Sequence, residues 1–309
     1  MKSSFQYATI LALATAGVSG LNNFFTKIAV TVIKDPIVYT TLKNALVALC
    51  IVGIIVIMKK WNEIASLTKR QFLKLFAIGI VGGSLPFALY FVGLTQTSAI
   101  NAGLIHKTLF LWVALLAIPI LKERITPLQW IGIGMIFAAN LVVGGFNSFK
   151  YNTGELMILA ATILWAIEAV IAKIALRDIS SIVVAAARMT LGSAILGGII
   201  AWRGGGVSVY NLTSEQWGWT VLTSALLLSY VLTWYTALKY APATYVATLL
   251  VPATLITNVL SALFITHAFP AQQFISAILF IGGVLLVIYF AKKTAQNAVL
   301  ENTVPTYPL

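Results

Sequence analysis

The chain is divided into ten long apolar segments, arranged as two sets of five. Each run is close to the ~20 residues that a helix needs to cross a hydrocarbon core of about 30 Å. Backbone groups in lipid must be satisfied within the segment, which leaves helices or closed barrels. Barrel strands are about 10 residues long and alternate in polarity; no such alternation occurs here. Five is odd, so the second set must cross in the opposite sense to the first. That is the arrangement of inverted-repeat carriers, which place a substrate path at the repeat interface. The expected fold is all-α: a polytopic membrane protein with ten transmembrane helices as two inverted five-helix repeats.

The predicted helices cover roughly 5–30, 37–58, 71–94, 97–121, 126–146, 154–176, 180–203, 216–238, 242–265 and 271–291. Residues 1–146 form the first repeat, 147–153 a connecting loop, 154–291 the second repeat, and 292–309 a polar tail expected to be disordered. Short turns at Lys34-Asp35-Pro36, Lys122-Glu123-Arg124 and Ala241-Pro242 separate helices, and Arg203-Gly204-Gly205-Gly206 breaks one. Lys2 precedes an apolar run that is too long for a cleaved leader and carries Asn22, Asn23 and Lys27, so it reads as an uncleaved first helix. The single cysteine, Cys50, excludes an intrachain disulfide.

Only 9% of the 309 residues are charged, against about 25% in soluble domains. The net charge is nevertheless +12. In a membrane protein such an excess belongs to cytoplasmic loops and does not call for nucleic acid. With the N-terminus inside, twelve Lys and Arg lie on inner loops and ends, Lys59, Lys60, Lys69 and Arg70 among them; only Lys34, Lys150 and Arg203 lie outside. This bias predicts a multi-pass protein of the plasma (cytoplasmic) membrane with both termini in the cytoplasm.

The duplication is visible in the letters. Gly93-Leu94 followed by Ser98-Ala99 matches Ala237-Leu238 followed by Pro242-Ala243 at an offset of 144. Gln129-Trp130-Ile131 matches Gln273-Phe274-Ile275 at the same offset, Lys27-Ile28-Ala29 matches Lys173-Ile174-Ala175 at 146, and Lys43 matches Arg188 at 145. Small drifts in offset are one-residue loop differences between two copies of one unit.

These stretches resemble the drug/metabolite transporter superfamily in its ten-helix EamA-type branch. The resemblance covers about residues 8–291 and rests on Ser98-Ala99-Ile100-Asn101-Ala102-Gly103, Leu121-Lys122-Glu123, Gln129-Trp130-Ile131-Gly132, Ala161-Thr162-Ile163-Leu164-Trp165-Ala166 and Gly282-Gly283-Val284-Leu285-Leu286. It implies a transporter, in a superfamily whose cargo includes amino acids, metabolites, drugs and nucleotide-sugars. One position departs from the pattern: where an acid often repeats Glu123 after the ninth helix, this chain has His267.

A charge at the centre of a membrane helix costs at least ~2.5–3.5 kcal/mol on insertion scales, so intramembrane ionisable residues are the natural site candidates. Glu168 lies well inside the sixth helix; its repeat equivalent is Asn22 on the first. Glu168 could bind an ammonium group or exchange a proton, or it could stand in an ion pair with an intramembrane lysine. Lys107 lies about 15 Å into the fourth helix, too deep for easy snorkelling, and could attract a carboxylate or phosphate or neutralise Glu168. The neighbouring His106 could relay protons or satisfy a carbonyl. Trp165 is one turn before Glu168 on the same face. The resemblance adds Tyr90, Trp234, Tyr235 and Tyr245, on helices that line the cavity of similar carriers, although helix packing accounts for aromatics as well. Lys27, Lys43, Lys173 and Arg188 read as snorkelling or helix-end charges. Glycines, including the Gly79/Gly83 and Gly197/Gly198 positions, read as points of close helix approach. Pro86, Pro119 and Pro252 read as kinks.

The reading is a secondary carrier working by alternating access. It would move a small polar organic solute, such as an amino acid or related metabolite, most often outward in the resembling branch. Carriage of anionic metabolites, drugs or nucleotide-sugars is the alternative. A membrane-embedded enzyme would need an assembled acid, base and nucleophile, and the sequence offers none; nor does it hold a His-Glu-x-x-His zinc site or a Walker loop. No cofactor or metal is called for. The expected partners are the solute, the lipid bilayer and protons as a candidate coupling ion, in a monomer or homodimer.

Overall fold

The computed structural model describes residues 2–33, 35–97, 99–144, 152–202, 212–268 and 270–301. The expectations for Lys34, Ser98, the loop from 147 to 151, Arg203 with the glycine run 204–206, and the tail from 302 lie outside them. Among the described residues every regular element is helical. In order they are α1 (Lys2–Ile33), α2 (Pro36–Ile57), α3 (Trp61–Ala65), α4 (Lys69–Gly83), α5 (Leu85–Leu94), α6 (Ala99–Lys107), α7 (Leu109–Leu121) and α8 (Pro127–Gly144). Then follow α9 (Thr153–Ala175), α10 (Ser181–Trp202), α11 (Ser214–Tyr240), α12 (Ala243–Leu250), α13 (Ala253–Ser261), a π turn over Ala262–Thr266, and α14 (Ala271–Glu301).

All ten predicted spans are present. Among the described residues, nine helices are long and apolar enough to cross a bilayer, by length and composition, and Pro127–Val142 is a shorter apolar helix. Their starts follow from local chemistry. Asp35 caps α2, with Pro36 at its first position; Thr68 and Thr213 form capping boxes with Gln71 and Gln216; Asn152 caps α9. Two elements go beyond the sequence reading. A short helix, α3, lies within the polar stretch 59–70, and α14 continues to Glu301 because nothing between Lys292 and Glu301 breaks a helix.

Among the described residues, three spans are interrupted. The third breaks at Ser84, whose backbone (φ −133°, ψ −67°) is not helical, just before Leu85-Pro86. The fourth breaks at Thr108 and the ninth at Val251-Pro252. The last two breaks occupy the same position in the two repeats at the offset of 144. Pro119, by contrast, sits inside a continuous α7.

The repeats interlock. The main packing pairs are α1 with α11, α8 with α14, α2 and α4 with α10, and α4 and α5 with α9. Each joins one repeat to the other. Glycines permit the closest approaches: a Cβ on Gly132 would stand 2.8 Å from the Gly283 carbonyl oxygen, and one on Gly283 would stand 2.7 Å from that of Gly132. A Cβ on Gly83 would collide with the Arg188 carbonyl and the Gly192 backbone. Gly197 and Gly198, read as approach points too, have nothing within 4 Å of an added Cβ.

An even number of spans places the start of α1 and the end of α14 at one end, called here the terminal end. In that half, one continuous apolar core joins Ala8, Ile51, Ile78, Val113, Val184, Leu238 and their neighbours across most spans. That core reaches into the far half through Ala139 on α8 and Phe280 on α14, but among the described residues the rest of the far half is packed separately. It holds two separate small clusters: Ala29, Ile33 and Tyr39 with Trp219, on α1, α2 and α11, and Ala102, Ile105 and Ile158 with Tyr90 and Leu94, on α5, α6 and α9. Among the described residues, buried apolar packing is thus continuous towards the terminal end and split into separate clusters towards the far end.

Candidate functional site

The floor of the divided half is built around Glu168. This buried acid on α9 accepts a 2.6 Å hydrogen bond from the Tyr235 phenol on α11. The buried guanidinium of Arg188 on α10 interacts electrostatically with both. Gly82 on α4 faces the Glu168 side chain so closely that a Cβ there would clash with it. The break in the third span supplies a further acceptor. Pro86 has no N–H to return to the Gly82 carbonyl four residues earlier. Trp165 Nε1 instead donates to that oxygen at 3.1 Å, and Arg188 Nε at 3.4 Å. A helix interruption at membrane depth is tolerable when neighbours re-satisfy the freed group, and here two candidate-site residues do so.

One wall is aromatic. Trp165 packs edge-on against Phe87 (5.2 Å between centroids) and His106 (4.8 Å), and is tilted against Tyr90 (5.7 Å); Tyr90 also meets His106 at 5.5 Å. Of the sequence-predicted residues, Tyr90, His106 and Trp165 thus form one group joined to Glu168 through α9. Nδ1 of His106 is buried without a hydrogen-bond partner. Lys107, next to it, ends α6 at the break in the fourth span and is only partly buried. It does not pair with Glu168; no carboxylate among the described residues lies within ion-pair distance of it.

The opposite wall carries Asn22 on α1. Its Oδ1 accepts a 3.0 Å hydrogen bond from Lys43 Nζ on α2, which also donates to Thr26 at 3.1 Å and lies 5.6 Å from the centre of the Tyr39 ring. Asn22 with Lys43 is the repeat equivalent of Glu168 with Arg188: a polar acceptor on the first helix of each repeat and a cation on the second. Lys43 and Arg188 are buried within their helices, which corrects the reading of both as helix-end charges. The signal lay in the sequence, because the offsets that match Asn22 to Glu168 and Lys43 to Arg188 differ by a single residue. Lys27 is exposed near the far end of α1. Tyr245 stands apart: its phenol meets Thr9 at 3.0 Å and its ring lies 5.0 Å from Phe5, in the terminal-end core.

Three polar contacts fasten the terminal end. The Glu123 carboxylate accepts from the amides of Ala243 (2.6 Å) and Thr244 (3.0 Å) and from the Thr244 hydroxyl (2.7 Å), capping α12. Glu63 on α3 accepts from the Ser180 amide (2.7 Å) in front of α10 and pairs with Lys60 at 3.3 Å. Burial alone would push the Glu63 carboxyl up, but the Ser180 amide and the Lys60 ammonium outweigh it and hold the group below the usual range. Lys173 donates to the carbonyls of Leu238 and Ala241, both at 2.7 Å, where α11 ends. This is the helix-end role read for it from sequence.

The EamA-like transporter family model matches residues 6–145 and again 152–289, once per repeat. An uncharacterized transporter, YyaM, from Bacillus subtilis (strain 168) is 29% identical over 156 residues, 48% of this chain and 51% of that protein. An uncharacterized transporter from Methanothermobacter thermautotrophicus is 25% identical over 144 residues, 45% of this chain and 42% of that one. The chain thus spans about half the length of these curated relatives. One solved crystal structure shares the fold with a TM-score of 0.76 at 18% identity, over 92% of this chain and 98% of that one.

Proposed function

The chain belongs to the EamA-like transporter family, and from that premise we propose that it is a secondary carrier moving a small polar organic solute, an amino acid or related metabolite, by alternating access. The observation that carries this reading is the unequal packing of the two halves. The continuous core towards the terminal end, the separate clusters towards the far end among the described residues, and the buried Glu168 and Arg188 in mid-bundle support it. An inverted repeat reaches the opposite state by exchanging the packing of its two halves around a fixed site. The positive-inside bias supports a plasma-membrane protein with its termini in the cytoplasm, and export is the proposed direction because it is the more frequent one among similar carriers. Glu168, hydrogen-bonded to Tyr235 and beside Arg188, is the residue through which a solute or proton would be sensed as the floor rearranges. Protons are the proposed coupling ion.

The test is counterflow in proteoliposomes loaded with a mixed pool of amino acids and small metabolites. Saturable exchange of one solute, reduced in Glu168→Gln, supports the reading. Flux that rises linearly with concentration, without trans-stimulation, describes a pore and rejects it.

A further inference from the structure

The central charges do not balance, and the imbalance bears on the cargo. Lys43, Lys107 and Arg188 stand within the spans around the site; Glu168 is the acid among them, and it is already engaged by Tyr235 and Arg188. The other buried acid, Glu155, lies in the first turn of α9 at the far end, bonded to Asn101 at 2.7 Å. The partners of Lys43 are neutral: an amide oxygen, a hydroxyl and an aromatic ring. Lys107 has no hydrogen-bond or ion-pair partner among the described residues. Its position at the end of α6 offers a helix-dipole charge of about −0.5, which offsets only part of a full ammonium. Beside it, the buried Nδ1 of His106 also lacks a partner. Uncompensated groups of this kind are costly in a low-dielectric site and mark where a ligand would complete the set.

We propose that the solute carries net negative charge, and that its carboxylate or phosphate group is taken up by Lys107 with His106 Nδ1 as the adjacent hydrogen-bonding group. Lys43 and Arg188 keep the surrounding region positive, and the ring of Trp165 against His106 fixes the imidazole plane. The break at Thr108 also begins α7 (Leu109–Leu121), and half-helix N-termini at a repeat interface are where carriers hold anionic groups. The inference rests on the carrier reading and narrows its substrate class.

The test uses full-length protein in neutral detergent. Thermal stabilisation is followed against mono- and dicarboxylates, inorganic phosphate, a diamine and glycerol, for wild type, Lys107→Gln, Lys107→Arg and the exposed control Lys27→Gln. Wild type and the control should be stabilised saturably by an anion. Lys107→Gln should need on the order of 10–100-fold more of it, as expected for loss of one partner of a buried charge pair, and Lys107→Arg should recover most of the effect. Stabilisation confined to the diamine or glycerol, or anion binding no better in wild type than in Lys107→Gln, overturns the proposal. Phosphatidylglycerol added to the micelles separates a lipid headgroup from a free solute: an effect of the lipid that soluble anions do not displace also overturns it. Counterflow in phosphatidylcholine vesicles then separates the two readings. Anion binding without exchange keeps the anion site and removes the carrier. Exchange limited to cationic or uncharged solutes keeps the carrier and removes the anion site.

Discussion

The Tyr235 phenol donates a 2.6 Å hydrogen bond to Oε1 of Glu168, joining α11 to α9 at the floor of the divided half. Both groups are buried, and Arg188 lies beside them. A hydrogen bond to a charged group is worth about 1.5–3 kcal/mol. Tyr235→Phe should therefore lower the thermal unfolding midpoint in detergent and slow transport, while Glu168→Gln, which keeps an acceptor for the phenol, should slow transport with a smaller loss of stability. Equal stability of wild type and Tyr235→Phe would show that this contact holds nothing together.

Gly83 and Gly197 make a matched pair of tests. A methyl group at Gly83 meets the Arg188 carbonyl and Gly192 backbone, which cannot swing aside, whereas one at Gly197 meets nothing within 4 Å. Overpacking costs about 1–3 kcal/mol. Gly83→Ala should unfold at a clearly lower temperature than wild type, and Gly197→Ala should not. The comparison is read by differential scanning fluorimetry of the purified proteins.

Glu123 caps α12 with both carboxylate oxygens. Glu123→Gln keeps one acceptor oxygen and loses the charge, a change of about 1.5–3 kcal/mol. The terminal end should then open more often. Spin labels on α7 and α12 should show a longer-distance population in the variant that is absent from wild type.

Glu63 gives a pH dependence. Its carboxyl is held below the ordinary value of about 4.3 by the Ser180 amide and Lys60, against the opposing effect of burial. A depressed carboxyl contributes stability that is complete above the unfolded-state pKa and is lost as pH falls through the folded-state value. The hydrogen-exchange protection factor of the Ser180 amide should be constant near neutral pH and fall below about pH 4. Glu63→Gln should remove that step; a step that survives the substitution belongs to another group.

The spans and the duplication were legible in the sequence because lipid enforces them: a helix shorter than the bilayer or a charge facing lipid is penalised directly. The interruptions were only partly legible. Pro252 marked one and Pro86 another, but Thr108 breaks the fourth span with no proline or glycine beside it. At the site, Tyr90, His106 and Trp165 came together as candidates on neighbouring helices should. Arg188 was misread because distance from a helix end in sequence does not show whether a side chain faces lipid or the bundle. Tyr245 lies on a helix expected to line the cavity, yet it sits in the first turn of α12 at the terminal end, where its ring packs into the core.

The most direct test of alternating access is sided labelling of one introduced cysteine. Thr26→Cys, in a Cys50→Ser background, places a thiol on the far-half wall beside Lys43. In oriented vesicles a membrane-impermeant maleimide should reach it from the far side and be excluded from the terminal side, with terminal-side labelling appearing only when exchangeable solute is supplied. Labelling from both sides at once, without solute, would describe an open pore and contradict the account.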